Sequence, residues 1–60
     1  MYFVIKKSVD GQYYFLLKSD NGQVVAQSET YHLKSSAETT IQAIKENVDP
    51  DTLVIDSEKL

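Results

Sequence analysis

The stretch that most constrains the fold is Asp10 to Ser28, DGQYYFLLKSDNGQVVAQS. An apolar run lies between Gly11 and an Asn21-Gly22 pair, and a second apolar run follows. This pattern spells a β-hairpin. Asn-Gly suits a two-residue type I′ turn best, because both central residues need positive φ. Centred there, the turn pairs Asp20 with Gln23, Leu17 with Ala26 and Phe15 with Ser28. Opposed residues share a sheet face. Tyr13, Phe15 and Leu17 then lie with Val24, Ala26 and Ser28, while Tyr14, Leu16 and Lys18 lie with Val25 and Gln27. A slip of one residue would reverse every assignment.

Tyr2 to Lys7 reads as an earlier strand, with Phe3 and Ile5 alternating against Tyr2, Val4 and Lys6. The connecting segment is Ser8-Val-Asp-Gly-Gln12. An odd-length loop, such as a type I turn with a Gly bulge, puts Phe3 and Ile5 beside Phe15 and Leu17; an even loop would put Val4 there. The odd loop is favoured, because Phe3 and Ile5 are the bulkier pair and Lys6 then faces water. Glu29 to Lys34 is a connector, with Tyr31 and Leu33 tucked against the sheet or the helix start. Ser35-Ser-Ala-Glu38 fits a capping box. Ala37, Ile41, Ile44 and Val48 recur at helical spacing, and Asn47 and Pro50 end the pattern. Thr52 to Asp56, TLVID, reads as a short fourth strand, and Ser57 to Leu60 as a frayed tail. The order is β3-α-β, an α+β antiparallel sheet with one helix on one face, in a single domain over residues 1–60. No internal repeat or linker is evident.

A chain of 60 residues buries only about 60% of the surface that its unfolded form exposes. Small folds therefore usually add a disulfide, a metal or a partner subunit. With no Cys and one His, self-association is the expected staple. The net charge is −3 and every basic residue is a dispersed Lys, a poor match to phosphate binding. Exposed tyrosines leave single strands as a weak alternative. The four apolar residues between Met1 and Lys6 are too few for a signal peptide, and no run approaches the length of a membrane span. A cytoplasmic protein that does not bind membranes is expected.

The residues Phe3-x-Ile5, Gly11-x-Tyr13-x-Phe15-x-Leu17-Lys18, Asn21-Gly22-Gln23-Val24, Ser28-Glu29-x-Tyr31 and Ile41-x-x-Ile44-Lys45-x-Asn47 resemble the YegP-like family. These are small bacterial proteins of uncharacterised function, some with two tandem copies of the unit. The resemblance covers residues 2 to 56. It implies a unit that pairs with a second copy into one continuous sheet with exchanged C-terminal strands, which would place Leu53, Val54 and Ile55 in a homodimer interface. The residues themselves leave open a return of that strand to its own sheet by a right-handed crossover. Family members often carry long polar or charged residues where this chain has Tyr14 and Leu16.

No chemical motif stands out. His32 with Glu29 and Ser28 or Ser35 would make a nucleophilic set, but no spacing supports it, and a loop or packing histidine is the simpler reading. Asp49 and Asp51 flank Pro50 as turn residues do. Ser28 is expected on the covered face or in a local hydrogen bond. No catalytic, cofactor or metal residue is assigned, and no cofactor is expected. Tyr2, Val4, Tyr14, Leu16 and Val25 should form one apolar patch on the helix-free face, where clean alternation would leave polar residues. Such a patch suggests a surface for another protein. The expectation is a homodimeric interaction module that is not an enzyme. The alternative is a ligand or enzymatic site between subunits, which would require His32, Tyr31 and a carboxylate to meet in a shared cleft.

Overall fold

The computed structural model describes residues 1–59. Strands β1 (Tyr2–Lys7), β2 (Tyr13–Lys18) and β3 (Val24–Gln27) precede helix α1 (Lys34–Asn47), and a short 3₁₀ helix covers Ser57–Lys59. The three strands form one antiparallel sheet in the order β1-β2-β3. Phe3 pairs with Leu17 and Ile5 with Phe15, as the odd loop requires.

The two hairpin turns are copies of each other. Ser8-Val9-Asp10-Gly11-Gln12 and Ser19-Asp20-Asn21-Gly22-Gln23 share Ser-x-Asx-Gly-Gln, a repeat the sequence reading passes over. Gly11 N donates to Ser8 O at 3.0 Å and Gly22 N to Ser19 O at 2.9 Å, and Ser8 N and Ser19 N donate to Gln12 O and Gln23 O. Among the described residues only the two glycines have positive φ, +84° and +85°. Each loop is thus a type I turn closed by a glycine bulge, the three-residue hairpin form. This corrects the type I′ expectation. Asn21 stays at negative φ, and Gln23 lies opposite Ser19 rather than Asp20.

The extra loop residue is absorbed at once. Lys18 pairs with Val24 and Leu17 with Ala26, so Val25 is the additional residue of a bulge. The Leu17–Ala26 and Leu16–Gln27 pairs stand as expected from sequence, while Val24 moves to the face of Lys18. Beyond β3 the chain still follows β2. Ser28 N donates to Phe15 O at 2.9 Å, and Tyr13 and Tyr31 exchange both backbone bonds at 2.8 and 2.6 Å.

Helix α1 packs across β2 and β1. Phe15 sits under it at the centre, edge-on to Phe3 (centroids 5.7 Å) and stacked with Tyr31 (6.4 Å). Ala37 is fully buried, with Ile41 and Ile44 half-buried on the same helix face. Val48, expected on that stripe, is the C-cap and is exposed. The capping box does not form. The N-cap is Leu33, without a side-chain bond, and Leu33 O accepts from Ser36 N at 3.1 Å. Because Tyr31 is pinned to β2, only His32 and Leu33 remain to turn the chain. The helix starts early, and Ser35 falls inside its first turn.

Thr52 to Asp56 joins no ladder among the described residues, which corrects the expected fourth strand. A strand holds only where another supplies its backbone partners, and this segment lies against neither edge of its own sheet. Ser57–Lys59 is a 3₁₀ turn rather than a wholly frayed tail. Leu60 lies outside the described residues.

Candidate functional site

The segment after the helix is the most unusual surface. Asp49-Pro50-Asp51-Thr52 makes a tight turn, with Thr52 N donating to Asp49 O at 3.0 Å. Asp49 Oδ1 accepts from Asp51 N, and Thr52 Oγ1 from Asp49 N, both at 2.8 Å. Asp49 is therefore engaged as a turn residue. The turn releases Leu53, Val54 and Ile55 into solvent at 84%, 95% and 71% exposure.

An open groove of about 460 Å³ runs between β1 and α1, lined by Met1, Tyr2, Phe3, Ile41 and Lys45. β1 is an edge strand of six residues with no bulge, so its outer row of backbone groups is open to a further strand. The other edge, β3, is four residues long and carries the bulge at Val25, a feature that blunts edge pairing. Lys6 and Lys7 lie on β1 and Lys45 lines the groove, whereas Asp49, Asp51, Asp56 and Glu58 flank the exposed aliphatics.

The helix-free face carries Tyr2, Val4, Tyr14 and Leu16, as expected, since Val4 pairs with Leu16, Lys6 with Tyr14 and Tyr2 with Lys18. Val25 is displaced by the bulge, and Val24, opposite Lys18, takes its place. Leu16 is only 8% exposed. Its neighbours in the sheet, Val4 and Gln27 across the ladders and Tyr14 and Lys18 along β2, are left to cover it. The exposed members of the patch are Tyr2 at one end and Val24 on β3.

Of the remaining polar candidates, the Ser28 hydroxyl is engaged in local bonding. Ser28 Oγ accepts from Phe15 N at 2.8 Å and donates to Glu29 O at 2.7 Å, the local bonding expected of it. Ser35 O accepts from Thr39 Oγ1 within the helix. His32 is exposed, and its charge is the smallest influence on Asp10. The Ser8 hydroxyl and the Gln12 amide, which both bond Asp10 Oδ1, hold the Asp10 carboxyl below its ordinary value. The N-terminal ammonium, 2.5 Å from Asp20 Oδ1, does the same for Asp20. Sequence reasoning missed the groove.

No helix among the described residues is long and apolar enough to cross a membrane. Residues 8–54 match the model for "Domain of unknown function (DUF1508)". The chain is 44% identical over 46 residues to UPF0339 protein YegP of Yersinia pestis, covering 77% of this chain and 41% of that protein. It is 40% identical over 50 residues to UPF0339 protein ACIAD0721 of Acinetobacter baylyi, covering 83% and 45%. The chain thus spans less than half the length of these curated relatives. An NMR solution structure of a protein from Haloferax volcanii superposes with a TM-score of 0.76 at 32% identity, covering 92% of both chains. With a three-stranded sheet, one helix, this family match and these relatives in agreement, the chain belongs to the DUF1508 family, together with the UPF0339 YegP proteins.

Proposed function

We propose that this protein is a homodimeric interaction module without catalytic chemistry, in which Leu53–Ile55 of each copy is covered by the other. The observation that carries this reading is the exposure of three consecutive aliphatics, at 84%, 95% and 71%, on a segment without backbone partners. The receiving site is the free edge of β1 with the groove beneath α1. A strand added there sets alternate side chains over Phe3 and Ile41 and meets Lys45 with its flanking acids. This is strand addition to an open edge, the recognition mode that exposed sheets favour.

Surface area supports a second copy. A compact chain of 6.8 kDa should expose about 4,000 Å², against 5041 Å² here. The excess is about 1,000 Å², close to the ~800 Å² that each partner buries in a standard interface. The radius of gyration, 13.5 Å, likewise exceeds the ~10 Å of a compact domain this long. The greater length of the curated relatives fits the same reading, since tandem copies would hold both halves in one chain.

A second partner surface is favoured by the exposed Val24 and the half-buried Tyr14 on the helix-free face, which lie off the β1 edge and stay available to another protein. Sedimentation equilibrium tests the main reading. The expected mass is twice that of the chain at micromolar concentration, falling to one chain for the Leu53→Asp/Ile55→Asp variant. A cooperatively folded wild-type monomer throughout that range would overturn it.

A further inference from the structure

We infer that Asn21–Gly22 is a self-modifying site, where the asparagine deamidates only while the β2–β3 turn is open, and that its aspartate product keeps the turn. The reaction needs no partner. Gly22 N attacks Asn21 Cγ, the new N–Cγ bond closes a succinimide ring, and the side-chain nitrogen leaves as ammonia with the amide proton. Water then opens the ring. Cleavage of the N–Cγ bond gives aspartate, and cleavage of the bond to the backbone carbonyl gives isoaspartate. Gly22 offers no Cβ to hinder the attack, and the space where one would stand is empty.

In the closed turn the Gly22 amide is engaged and the Asn21 side chain is tied to Ser19 and Gln23. Gly22 N–H donates to Ser19 O at 2.9 Å. Asn21 Oδ1 accepts from the Ser19 hydroxyl and from Gln23 N, the latter at 3.3 Å. Attack therefore requires local opening of the hairpin, so the modification records the fraction of time the turn is open. The other asparagine, Asn47, precedes β-branched Val48 and donates its Nδ2 to Ala43 O at 2.7 Å.

The first turn shows what the product would look like. Asp10 stands where Asn21 stands, and its Oδ1 accepts from the Ser8 hydroxyl and from Gln12 N. Those are the counterparts of both Asn21 bonds, and Gly11 repeats the φ of Gly22. An aspartate at 21 is thus a conformation this chain already builds, whereas isoaspartate adds a methylene to the backbone and breaks the match. The change adds one negative charge beside Asp20 to a chain already at −3.

The experiment incubates the full protein in mildly alkaline buffer and cleaves it after lysine. Amide-to-acid conversion is then followed in the peptide holding Asn21, with the same synthetic peptide free in solution as reference. Conversion is expected at Asn21 and not at Asn47, slower than in the free peptide by roughly tenfold. Asn21→Asp should retain the wild-type amide spectrum across residues 24–27. Conversion as fast as in the free peptide, no conversion after the free peptide has reacted fully, or loss of that spectrum in Asn21→Asp would each overturn the inference.

Discussion

Gly11 and Gly22 hold the same left-handed conformation, φ +84° and +85°, at the same place in two turns of the same composition. Strand β2 is therefore bounded at both ends by one device, Ser-x-Asx-Gly-Gln. In each copy the Ser backbone closes the loop and the Ser side chain holds the Asx. The ends of the central strand are set by local chemistry.

Each glycine is expected to be costly to replace, and by similar amounts. A Cβ meets nothing at either position, so the penalty is purely conformational, about 1–2 kcal/mol for an L-residue at positive φ. Chemical denaturation of Gly11→Ala and Gly22→Ala should give matching losses. A large loss in one with none in the other would show that the turns are not equivalent in solution.

Asp10 and Asn21 are expected to be interchangeable at neutral pH but not in acid. The Ser8 hydroxyl and Gln12 amide hold the Asp10 carboxyl below its ordinary value of 3.8. Stability from that ionised form is complete above the unfolded-state value and disappears as pH falls through the lower folded value. Asp10→Asn, which keeps an acceptor in place, should match the wild type at neutral pH and lose this acid-dependent component. Asp10→Ala should be less stable at neutral pH. Melting curves of the three proteins across the acid range check the order.

Much of this fold is legible from alternation alone. The Leu17–Ala26 pair follows from centring a turn on Asn21-Gly22, although the turn itself is of another type. The loop is one residue longer than expected, and the bulge at Val25 cancels the offset. Only Val24 and Val25 change places. The capping box misleads because Ser35 and Glu38 are a local signal, while the start of the helix is set by the non-local Tyr13–Tyr31 bridge. TLVID carries strand propensity but no information on which edge receives it. The groove on β1 is illegible for the same reason, because it depends on where α1 crosses the sheet.

Ser28 is expected to matter more than its surface position suggests. Its hydroxyl is the acceptor for Phe15 N at 2.8 Å, and Phe15 is among the least exposed residues. Ser28→Ala leaves that amide unpaired, at a cost of about 1–3 kcal/mol. Hydrogen exchange at the Phe15 amide should accelerate by more than the global loss of stability explains.

Phe15 joins Phe3 on one side and Tyr31 on the other, linking β1, β2 and the approach to the helix. Truncation to Ala should cost about 3–5 kcal/mol, comparable to the whole stability of a domain this small. Phe15→Ala should therefore be unfolded at room temperature. Phe15→Leu keeps most of the buried volume and forfeits two aromatic pairs, each worth about 0.5–1.5 kcal/mol. It should fold with a lowered midpoint, measurable by circular dichroism.

Thermal stability should depend on protein concentration. Association adds to the stability of a sheet that a second copy completes, so each tenfold dilution lowers the stability of the assembled dimer by about 1.4 kcal/mol. The same dilution should leave the Leu53→Asp/Ile55→Asp variant unaffected, because a chain that melts alone has no mass-action term. That variant should also be less stable than the wild type at high concentration and approach it on dilution, since the disrupted contacts are intermolecular. A wild-type midpoint independent of concentration, with the double variant shifted by a constant amount, would place the contacts of Leu53 and Ile55 within one chain.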